Sequence, residues 1–281
     1  MTEQKRLQTP LTTTLHDRGF YGSESLIYPV LSRRVKGISV GINTSISKAC
    51  NFGCIYCEVD RTKKGNFIKF NVPEADAQLR KVLTDIQAGK GGFGDEKIRA
   101  ITLSGDGEPS SLTNFDELIQ RIIITRNEFN LNDSKIVVIS NSTGLNRETV
   151  KKGLKLMDDN NGELWAKLDA GTEDYFKLIA STRFPFDKIL SNILTTSQER
   201  PIKIQSCFMN VHGEMPKEEE IMAYCDRVNN ILANGGQISA IQLYTVSRPP
   251  AESYVTALTG DQINQIAQML QENINVPIET Y

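Results

Sequence analysis

The chain lacks the long hydrophobic runs that membrane-spanning helices need. None of its apolar stretches approaches the roughly 18 residues required to cross a bilayer. The polar amino-terminal stretch MTEQKRLQTPLTTT contains no apolar segment of the kind found in secretory signals. We therefore expect a cytoplasmic protein, and in that compartment cysteines are more often ligands or catalysts than disulfide partners.

An excess of charge of one sign is also missing. The formal net charge is only -2, which argues against broad binding to nucleic acid while leaving a local basic patch open. No Pro-, Gly- or Ser-rich linker and no shift in composition divides the sequence. The expected organisation is an irregular lead-in at residues 1–37, followed by one domain at residues 38–281 that ends in a short extension.

Short apolar runs alternate with longer helical patterns from residue 38 onward. Several runs are almost continuously apolar, as in parallel strands that are covered on both faces. Six strand-then-helix units in series predict a parallel sheet with right-handed crossovers, as an open sheet or a curled partial barrel. The tail NVPIETY is a candidate for one short extra edge strand. The predicted strands are 38–43, 100–105, 135–140, 164–170, 202–209 and 240–246, and the predicted helices are 74–88, 114–128, 146–159, 187–199, 217–233 and 260–273.

Cysteine is scarce, yet three of the five cysteines lie within one short stretch. The sequence CNFGCIYC places Cys50, Cys54 and Cys57 at a Cys-x3-Cys-x2-Cys spacing, in a loop directly after the first predicted strand. Such loops hold ligands and catalytic residues in parallel β/α folds. Three thiolates are one fewer than a closed tetrahedral metal site needs, so the fourth position decides between a structural and a chemical role.

Four kinds of site can be built from these thiols. A disulfide is disfavoured by the odd number and by the reducing compartment. Structural zinc would need a fourth ligand from Cys207, Cys225, His16 or His212, none of which has the paired spacing of a zinc ribbon or finger. An electron-transfer cluster with four cysteines would need a distant fourth thiol, for which Cys207 is available on a predicted strand. A [4Fe–4S] cluster with one iron open to a small ligand needs only the three thiolates.

The same stretch resembles the Cys-x3-Cys-x-aromatic-Cys loop of radical S-adenosylmethionine (radical SAM) enzymes, with Tyr56 in the aromatic position. The resemblance implies that Cys50, Cys54 and Cys57 hold one [4Fe–4S] cluster, that S-adenosylmethionine chelates its open iron and that Tyr56 faces the adenine. It further implies that an electron from a flavodoxin or ferredoxin cleaves the cofactor to methionine and a 5′-deoxyadenosyl radical. This radical then abstracts hydrogen from a substrate.

Two further strand ends resemble the same family. The stretch LSGDGEPSS is similar to its Gly-Glu segment, which implies that Glu108 receives the methionine amino group and that Gly105 and Gly107 allow close backbone approach. The stretch VISNSTGL is similar to a strand end that offers Ser140 and Asn141 to the ribose hydroxyls or the methionine carboxylate. The alternatives are an ordinary turn before a helix for the first stretch and a helix cap for the second.

Chemistry-bearing side chains also fall on the fourth and fifth predicted strands. Lys167 and Asp169 both point inward if the strand alternation holds, and an inward ion pair is costly unless it serves a ligand or is internally satisfied. We predict a catalytic or binding role for this pair. Cys207 is a candidate hydrogen-atom donor, or else a small core residue. His212, just past the strand end, is a candidate substrate contact.

The last predicted strand and two basic runs complete the set of candidates. The resemblance implies that Gln242, Tyr244 and Arg248 contact the adenine or the methionine carboxylate. The runs SRRVKG and DRTKKGN flank the three cysteines. They fit a solvated surface, a docking patch for an acidic flavodoxin or ferredoxin, or a phosphate site.

These motifs follow one another on successive predicted strands and together indicate an α/β fold, a curled parallel (β/α)6 partial TIM barrel, that works as a radical SAM enzyme. The stretches YPVLSRR and SGDGEP resemble the small Fe–S oxidoreductases near the wybutosine-synthesis enzymes of tRNA, although no cysteine precedes Cys50 to ligate a second cluster. A peptide or protein, a tRNA base and a small metabolite are all open as substrates. The contrasting prediction is a non-enzymatic metal-binding or electron-transfer protein.

Overall fold

A computed structural model describes residues 25–45, 48–59 and 69–281 of the chain. Residues 1–24 of the predicted lead-in, which include His16, and the basic run DRTKKGN lie outside the described residues. The described strands are β1 (Ile27–Ser32), β2 (Gly37–Ile42), β3 (Ile98–Leu103), β4 (Lys135–Ser140), β5 (Gly162–Lys167), β6 (Ile202–Cys207), β7 (Asn210–Val211), β8 (Ile238–Tyr244), β9 (Val255–Thr256) and β10 (Ile278–Thr280).

The helices connect these strands in sequence. They are α1 (Val72–Gln87), α2 (Phe115–Glu128), α3 (Glu148–Asp158), α4 (Glu173–Ala180), α5 (Phe186–Glu199), α6 (Glu218–Ala233) and α7 (Gly260–Asn273), and a single 3-10 turn spans Pro109–Ser111. In the part of the chain that the structure describes, no helix has the length and apolarity to span a bilayer.

Eight strands form one sheet in the order β1-β2-β3-β4-β5-β6-β8-β10. Every neighbouring pair from β2 onward is parallel, and the six strands predicted from the sequence are consecutive neighbours, β2-β3-β4-β5-β6-β8. The tail forms β10, which pairs in parallel with β8 as the extra edge strand. The short strands β7 and β9 form a separate antiparallel pair. The predicted alternation of strands and helices is therefore confirmed.

Two elements go beyond the sequence-based prediction. Strand β1 falls in the lead-in that we expected to be irregular, and it pairs antiparallel with β2, with Ile27 opposite Ile42. Its Pro29 suits an edge strand, because proline has no amide hydrogen to give to a second neighbour. Helix α4 is too short to show a clear helical period, and it begins where the Thr172 side chain accepts a hydrogen bond from the Tyr175 amide.

The sheet is curled, with a small inner core. Side chains alternate along a strand, so β4 sends Ile136 into the large core beneath the helices and Val137 into a second cluster with Ala100 and Trp165. The turn between β1 and β2 also reaches the far edge of the sheet, since Arg34 lies 5.4 Å from the ring centre of the residue after β10. The fold is thus an α/β partial barrel, as predicted, but its described residues form a sheet of eight strands instead of six, with an antiparallel first strand.

Candidate active site

The carboxyl ends of the parallel strands border a cavity of about 640 Å³. This volume lies within the range of roughly 300–1,000 Å³ that ligand sites occupy. Its lining includes the loop of the three cysteines, the segment at 104–108 after β3, the ends of β4, β5 and β6, and the segment at 244–248 that follows β8. In parallel β/α folds this is the edge of the sheet where ligands bind.

The cysteine loop, residues 48–59, is held against the end of α4. The amides of Gly53 and Ile55 donate to the carbonyls of Ala180 and Ile179, each at 3.0 Å. Phe52 and Ile55 are buried, and the Phe52 ring meets the Phe176 ring edge-on at 5.8 Å. The apolar positions of CNFGCIYC therefore anchor the loop, and its cysteines are left along the cavity.

The three thiols of the loop lie along one cavity and fit the ligand set of a [4Fe–4S] cluster. All five cysteines lie among the described residues and none is in a disulfide, and Cys50, Cys54 and Cys57 are half-buried and line the cavity. Burial, followed by the Asp169 carboxylate, raises the pKa of the Cys54 thiol to about 12. Within the described ranges, no three His, Cys, Asp or Glu side chains gather closely enough to hold one metal ion. Thiolates on a [4Fe–4S] cluster each bind a different iron atom and need not converge on one point.

Glu108 is buried at the end of the segment after β3. Its Oε1 accepts hydrogen bonds from the Ser110 amide at 2.9 Å and from the Ser110 and Ser140 hydroxyls at 2.6 Å, and its Oε2 accepts one from the Asn141 amide at 2.8 Å. Burial raises the pKa of this carboxyl, and the hydrogen bonds oppose that rise. The Asn141 Nδ2 donates to the Asn51 Oδ1 at 2.7 Å, so the Glu108 network is tied to the cysteine loop.

Gly105 and Gly107 are needed by the packing of the protein itself. Both have left-handed backbones, with φ of +90° and +93°. A Cβ on Gly105 would lie 2.6 Å from the Tyr28 hydroxyl, and one on Gly107 would lie 2.6 Å from the Ser45 Cβ. These contacts account for both glycines through the turn, and their predicted approach to a cofactor stays a prediction.

Lys167 and Asp169 extend from the end of β5 into the cavity. The Lys167 Nζ lies 3.1 Å from the Asp169 Oδ1 and donates to the Tyr244 hydroxyl at 2.6 Å. The Tyr56 hydroxyl donates to the Asp169 Oδ2 at 2.6 Å, and the Cys207 amide donates to Oδ1 at 2.7 Å. Burial alone would lower the pKa of Lys167, but Asp169, Tyr244 and Cys207 raise it well above its usual value, so the ammonium keeps its charge. The structure brings these five predicted residues into one cluster.

Gln242 and Arg248 are placed differently from each other. Gln242 is fully buried, does not line the cavity, and accepts a hydrogen bond from the Gln205 side chain at 3.2 Å. It therefore lies behind Gln205, which does line the cavity. Arg248 lines the cavity and pairs with Glu58 at 2.7 Å, so part of its charge is already neutralised by the cysteine loop.

Cys207 and His212, predicted as catalytic candidates from neighbouring positions, lie in different surroundings. Cys207 is buried and lines the cavity, and burial raises the pKa of its thiol to about 12, which keeps it protonated at neutral pH. His212 is exposed, lies outside the cavity and stacks on Tyr254 at 4.5 Å. It follows β7 directly, and its backbone is left-handed, with φ of 53°. The position of His212 does not support the predicted substrate contact.

Sequence reasoning missed several polar residues of the site. Tyr28 on β1 covers the segment after β3, and its hydroxyl shares a hydrogen bond with the Ser104 Oγ at 3.0 Å. Asn51, inside CNFGC, also accepts from Asn141 and donates to the Thr143 hydroxyl at 2.8 Å. Arg34 lines the cavity, and its only signal was its place in the run SRRVKG.

Proteins with similar sequences span most of this chain. A GTPase Obg of Brachyspira hyodysenteriae is 24% identical over 256 residues, and a UPF0026 protein of Methanocaldococcus jannaschii is 25% identical over 255 residues. The two matches cover 89% and 88% of this chain, but 34% and 71% of those proteins. The chain thus spans about a third of the first relative's length and less than three quarters of the second's.

Solved structures share the fold. Streptococcus suis SuiB bound to S-adenosylmethionine aligns with a TM-score of 0.56 at 12% identity, over 86% of this chain and 49% of that chain. A spore photoproduct lyase aligns with a TM-score of 0.54 at 9% identity, over 83% of this chain and 73% of that chain. An archaeal TYW1 aligns with a TM-score of 0.50 at 17% identity, over 84% and 72%. At such identities the likeness shows the architecture alone.

The family assignment comes from the sequence profile described as "Radical SAM superfamily", which matches residues 44–225. The match spans more than half of the chain and includes the cysteine loop, Glu108 and the Lys167–Asp169 pair. It supports an enzyme over the electron-transfer alternative. The chain therefore belongs to the radical SAM superfamily, whose enzymes use a [4Fe–4S] cluster and S-adenosylmethionine.

Proposed function

We propose that this enzyme holds one [4Fe–4S] cluster on Cys50, Cys54 and Cys57 and uses it with S-adenosylmethionine to start radical chemistry on a substrate. The observation that carries the proposal is the cysteine loop, whose three thiols line the same cavity as the Glu108 network. Cys207 also lines this cavity, with its amide bonded to Asp169, so the Cys207→Ala variant tests it as a fourth ligand. Cys225 is buried on α6.

When bound, the two cofactors supply a 5′-deoxyadenosyl radical that abstracts a hydrogen atom from the substrate. Glu108 accepts a hydrogen bond from the methionine amino group in this proposal. Its Oε1 already has three donors, whereas Oε2 has one, the Asn141 amide. A carboxylate oxygen has two lone pairs, so Oε2 keeps the capacity for a further donor. Ser140 then acts as a positioning residue, since its hydroxyl is directed at Glu108.

The Lys167–Asp169 pair would fix Tyr56 in the wall of the cavity. Asp169 orients Tyr56 through the short hydroxyl hydrogen bond, and Lys167 lies 5.0 Å from the centre of the Tyr56 ring. The ring is therefore held between two charged groups and cannot rotate away from the cavity without breaking both contacts. Apolar lining residues such as Ile139, Leu168 and Val246 exclude water from the same space.

The proposed reaction also needs a reductant and a substrate. A flavodoxin or ferredoxin would supply the electron, and the exposed Arg33 and Lys36 of the turn between β1 and β2 offer positive charge to such an acidic protein. A peptide or protein, a tRNA base or a small metabolite would fit a cavity that is open at the strand ends.

Product formation tests this proposal. After anaerobic reconstitution with iron and sulfide, we expect dithionite and S-adenosylmethionine to yield 5′-deoxyadenosine and methionine, measured by liquid chromatography. Cys54→Ala protein is the matched control and should yield neither. A wild-type protein with an intact cluster that forms no 5′-deoxyadenosine would contradict the proposal.

A further inference from the structure

Arg34 joins the two edges of the curled sheet. It lies in the turn between β1 and β2, at one edge, and its guanidinium stacks 4.4 Å from the ring centre of Tyr244 at the end of β8. The same guanidinium lies 5.4 Å from the ring centre of Tyr281, which follows β10 at the other edge. All three side chains line the cavity, so the arginine is part of its wall.

Arg34 forms no salt bridge with another described residue of this wall, although burial raises the pKa of the Glu58 carboxyl and the field of Arg34 opposes that rise. The Arg34 Nε is buried and has no hydrogen-bond partner among the described residues. Glu58, the carboxylate on which its field acts, pairs with Arg248 at 2.7 Å. Stacking on tyrosine rings contributes attraction but accepts none of the five guanidinium N–H groups. Arginine cannot shed its proton at ordinary pH, so its half-buried charge favours an anion in the cavity.

Arg33 and Lys48 also line the cavity, but Arg34 is the cation there whose Nε is buried without a partner among the described residues, and two of its neighbours have carboxylates. Lys167 has Asp169 at 3.1 Å, and Arg248 has Glu58. Lys167 also donates to the Tyr244 hydroxyl, and the ring of the same tyrosine stacks on the Arg34 guanidinium. The unpaired guanidinium therefore lies next to the cluster of Lys167, Asp169 and Cys207, at the cavity rather than at a remote surface.

The position of Arg34 also separates it from the methionine site. Glu108 is bonded to groups that follow β3 and β4, whereas Arg34 contacts side chains that end β8 and follow β10. None of the groups that donate to Glu108 is a recorded partner of Arg34, whose ring contacts are Tyr244 and Tyr281. An anion on Arg34 would therefore be held by a different set of side chains from those around Glu108.

We propose that Arg34 binds an anionic oxygen group of the substrate, a phosphate or a carboxylate, and so fixes the substrate beside Lys167, Asp169 and Cys207. Calling the ligand a substrate rests on the proposed function, whereas the binding of the anion does not. The planar guanidinium presents two parallel N–H groups to such a ligand, which is the geometry that both phosphate and carboxylate accept.

Calorimetric titration tests this proposal without turnover. Reconstituted protein loaded with S-adenosylmethionine, and left unreduced, is titrated with inorganic phosphate and separately with acetate, at ionic strength held constant with chloride. We expect saturable binding of one of the anions, and Arg34→Gln should raise its Kd about tenfold or more, as the loss of a charge-assisted hydrogen bond predicts. Phosphate binding would indicate a nucleotide or nucleic-acid substrate, and acetate binding an acid or peptide.

Two further variants keep the test decisive. Lys36→Gln changes an exposed cation in the same turn, outside the cavity lining, and should leave the Kd unchanged. Arg34→Lys keeps the charge but loses the planar fork, so its Kd should fall between those of the wild type and Arg34→Gln. If Arg34→Gln unfolds, the Kd of Arg34→Lys is compared with that of the wild type, and a weaker affinity in the variant supports the proposal.

Equal Kd values for the wild type and the Arg34 variants, or no saturable binding of either anion, would overturn the proposal. Anion binding that depends on Arg34 in a protein that forms no 5′-deoxyadenosine would contradict the proposed function alone. A protein that forms 5′-deoxyadenosine but whose anion binding does not depend on Arg34 would leave the proposed function in place and contradict only the role of Arg34.

Discussion

Replacing Cys50, Cys54 or Cys57 with alanine is expected to abolish assembly of the iron–sulfur cluster. Each thiolate binds one iron of a three-cysteine site, and the two remaining thiols belong to other elements of the fold, Cys207 to the end of β6 and Cys225 to α6. Loss of supporting groups around a metal already lowers affinity about 10- to 100-fold, so loss of a direct ligand should lower bound iron at least tenfold.

Iron and sulfide content per chain after anaerobic reconstitution, with the absorbance of the cluster, measures this effect. Cys207→Ala and Cys225→Ala are matched controls, since each removes one thiol from the same protein and should leave the cluster intact. Normal cluster content in any of the three loop variants would be incompatible with the assigned ligands. Loss of the cluster in Cys207→Ala would make Cys207 the fourth ligand and favour an electron-transfer site.

Asp169→Ala is expected to lower the free energy of unfolding by about 3 kcal/mol or more, the usual cost of removing one partner of a buried ion pair. Lys167 would then be left in the cavity wall with the Tyr244 hydroxyl as its remaining hydrogen-bond partner. The double variant Lys167→Met with Asp169→Ala should recover most of the loss, because it removes the unpaired charge. Urea unfolding at neutral pH measures the free energy of unfolding of the wild type, of Asp169→Ala and of the double variant.

The pH dependence gives this prediction a second test. In the wild type the pKa of Lys167 is raised, so its contribution is complete below the unfolded-state pKa of about 10.4 and is lost only as pH rises through the higher folded value. Asp169 is the largest cause that raises this pKa, so we expect burial to lower the folded pKa of Lys167 in Asp169→Ala. The destabilisation of Asp169→Ala should then be largest at neutral pH and shrink as pH approaches 10.

An exposed ion pair is the matched control for this effect. Glu173 and Lys177, at 2.8 Å on α4, are both largely solvated, so Glu173→Ala should change stability little. Equal losses for Glu173→Ala and Asp169→Ala would contradict the view that burial makes the Lys167–Asp169 pair important.

Much of the fold was accessible from the sequence because its strands are apolar and its helices periodic. The six central strands, the helices between them and the extra edge strand β10 follow from these patterns. Strand β1 could not be predicted in this way, since YPVLS carries a proline and joins the sheet only through its pairing with β2. Helix α4 could not be predicted either, because its eight residues are too few to establish a helical period.

The site shows the same division between local and tertiary information. The cysteine spacing and the strand-end positions of Glu108, Lys167 and Asp169 are local features, and the structure places all of them at one cavity. Arg34 reaches that cavity only because the curled sheet brings its two edges together, which no local pattern encodes. His212 does not line that cavity, since it follows β7 and its ring stacks on Tyr254, which the sequence pattern does not indicate.

The central claim is that the loop of Cys50, Cys54 and Cys57 leaves one iron of its cluster for S-adenosylmethionine. Electron paramagnetic resonance of the dithionite-reduced protein, recorded with and without S-adenosylmethionine, tests it most directly. We expect the cofactor to change the spectrum of the reduced cluster, because it becomes a ligand of the open iron. An intact cluster whose spectrum is the same in the presence and absence of saturating S-adenosylmethionine would contradict the claim.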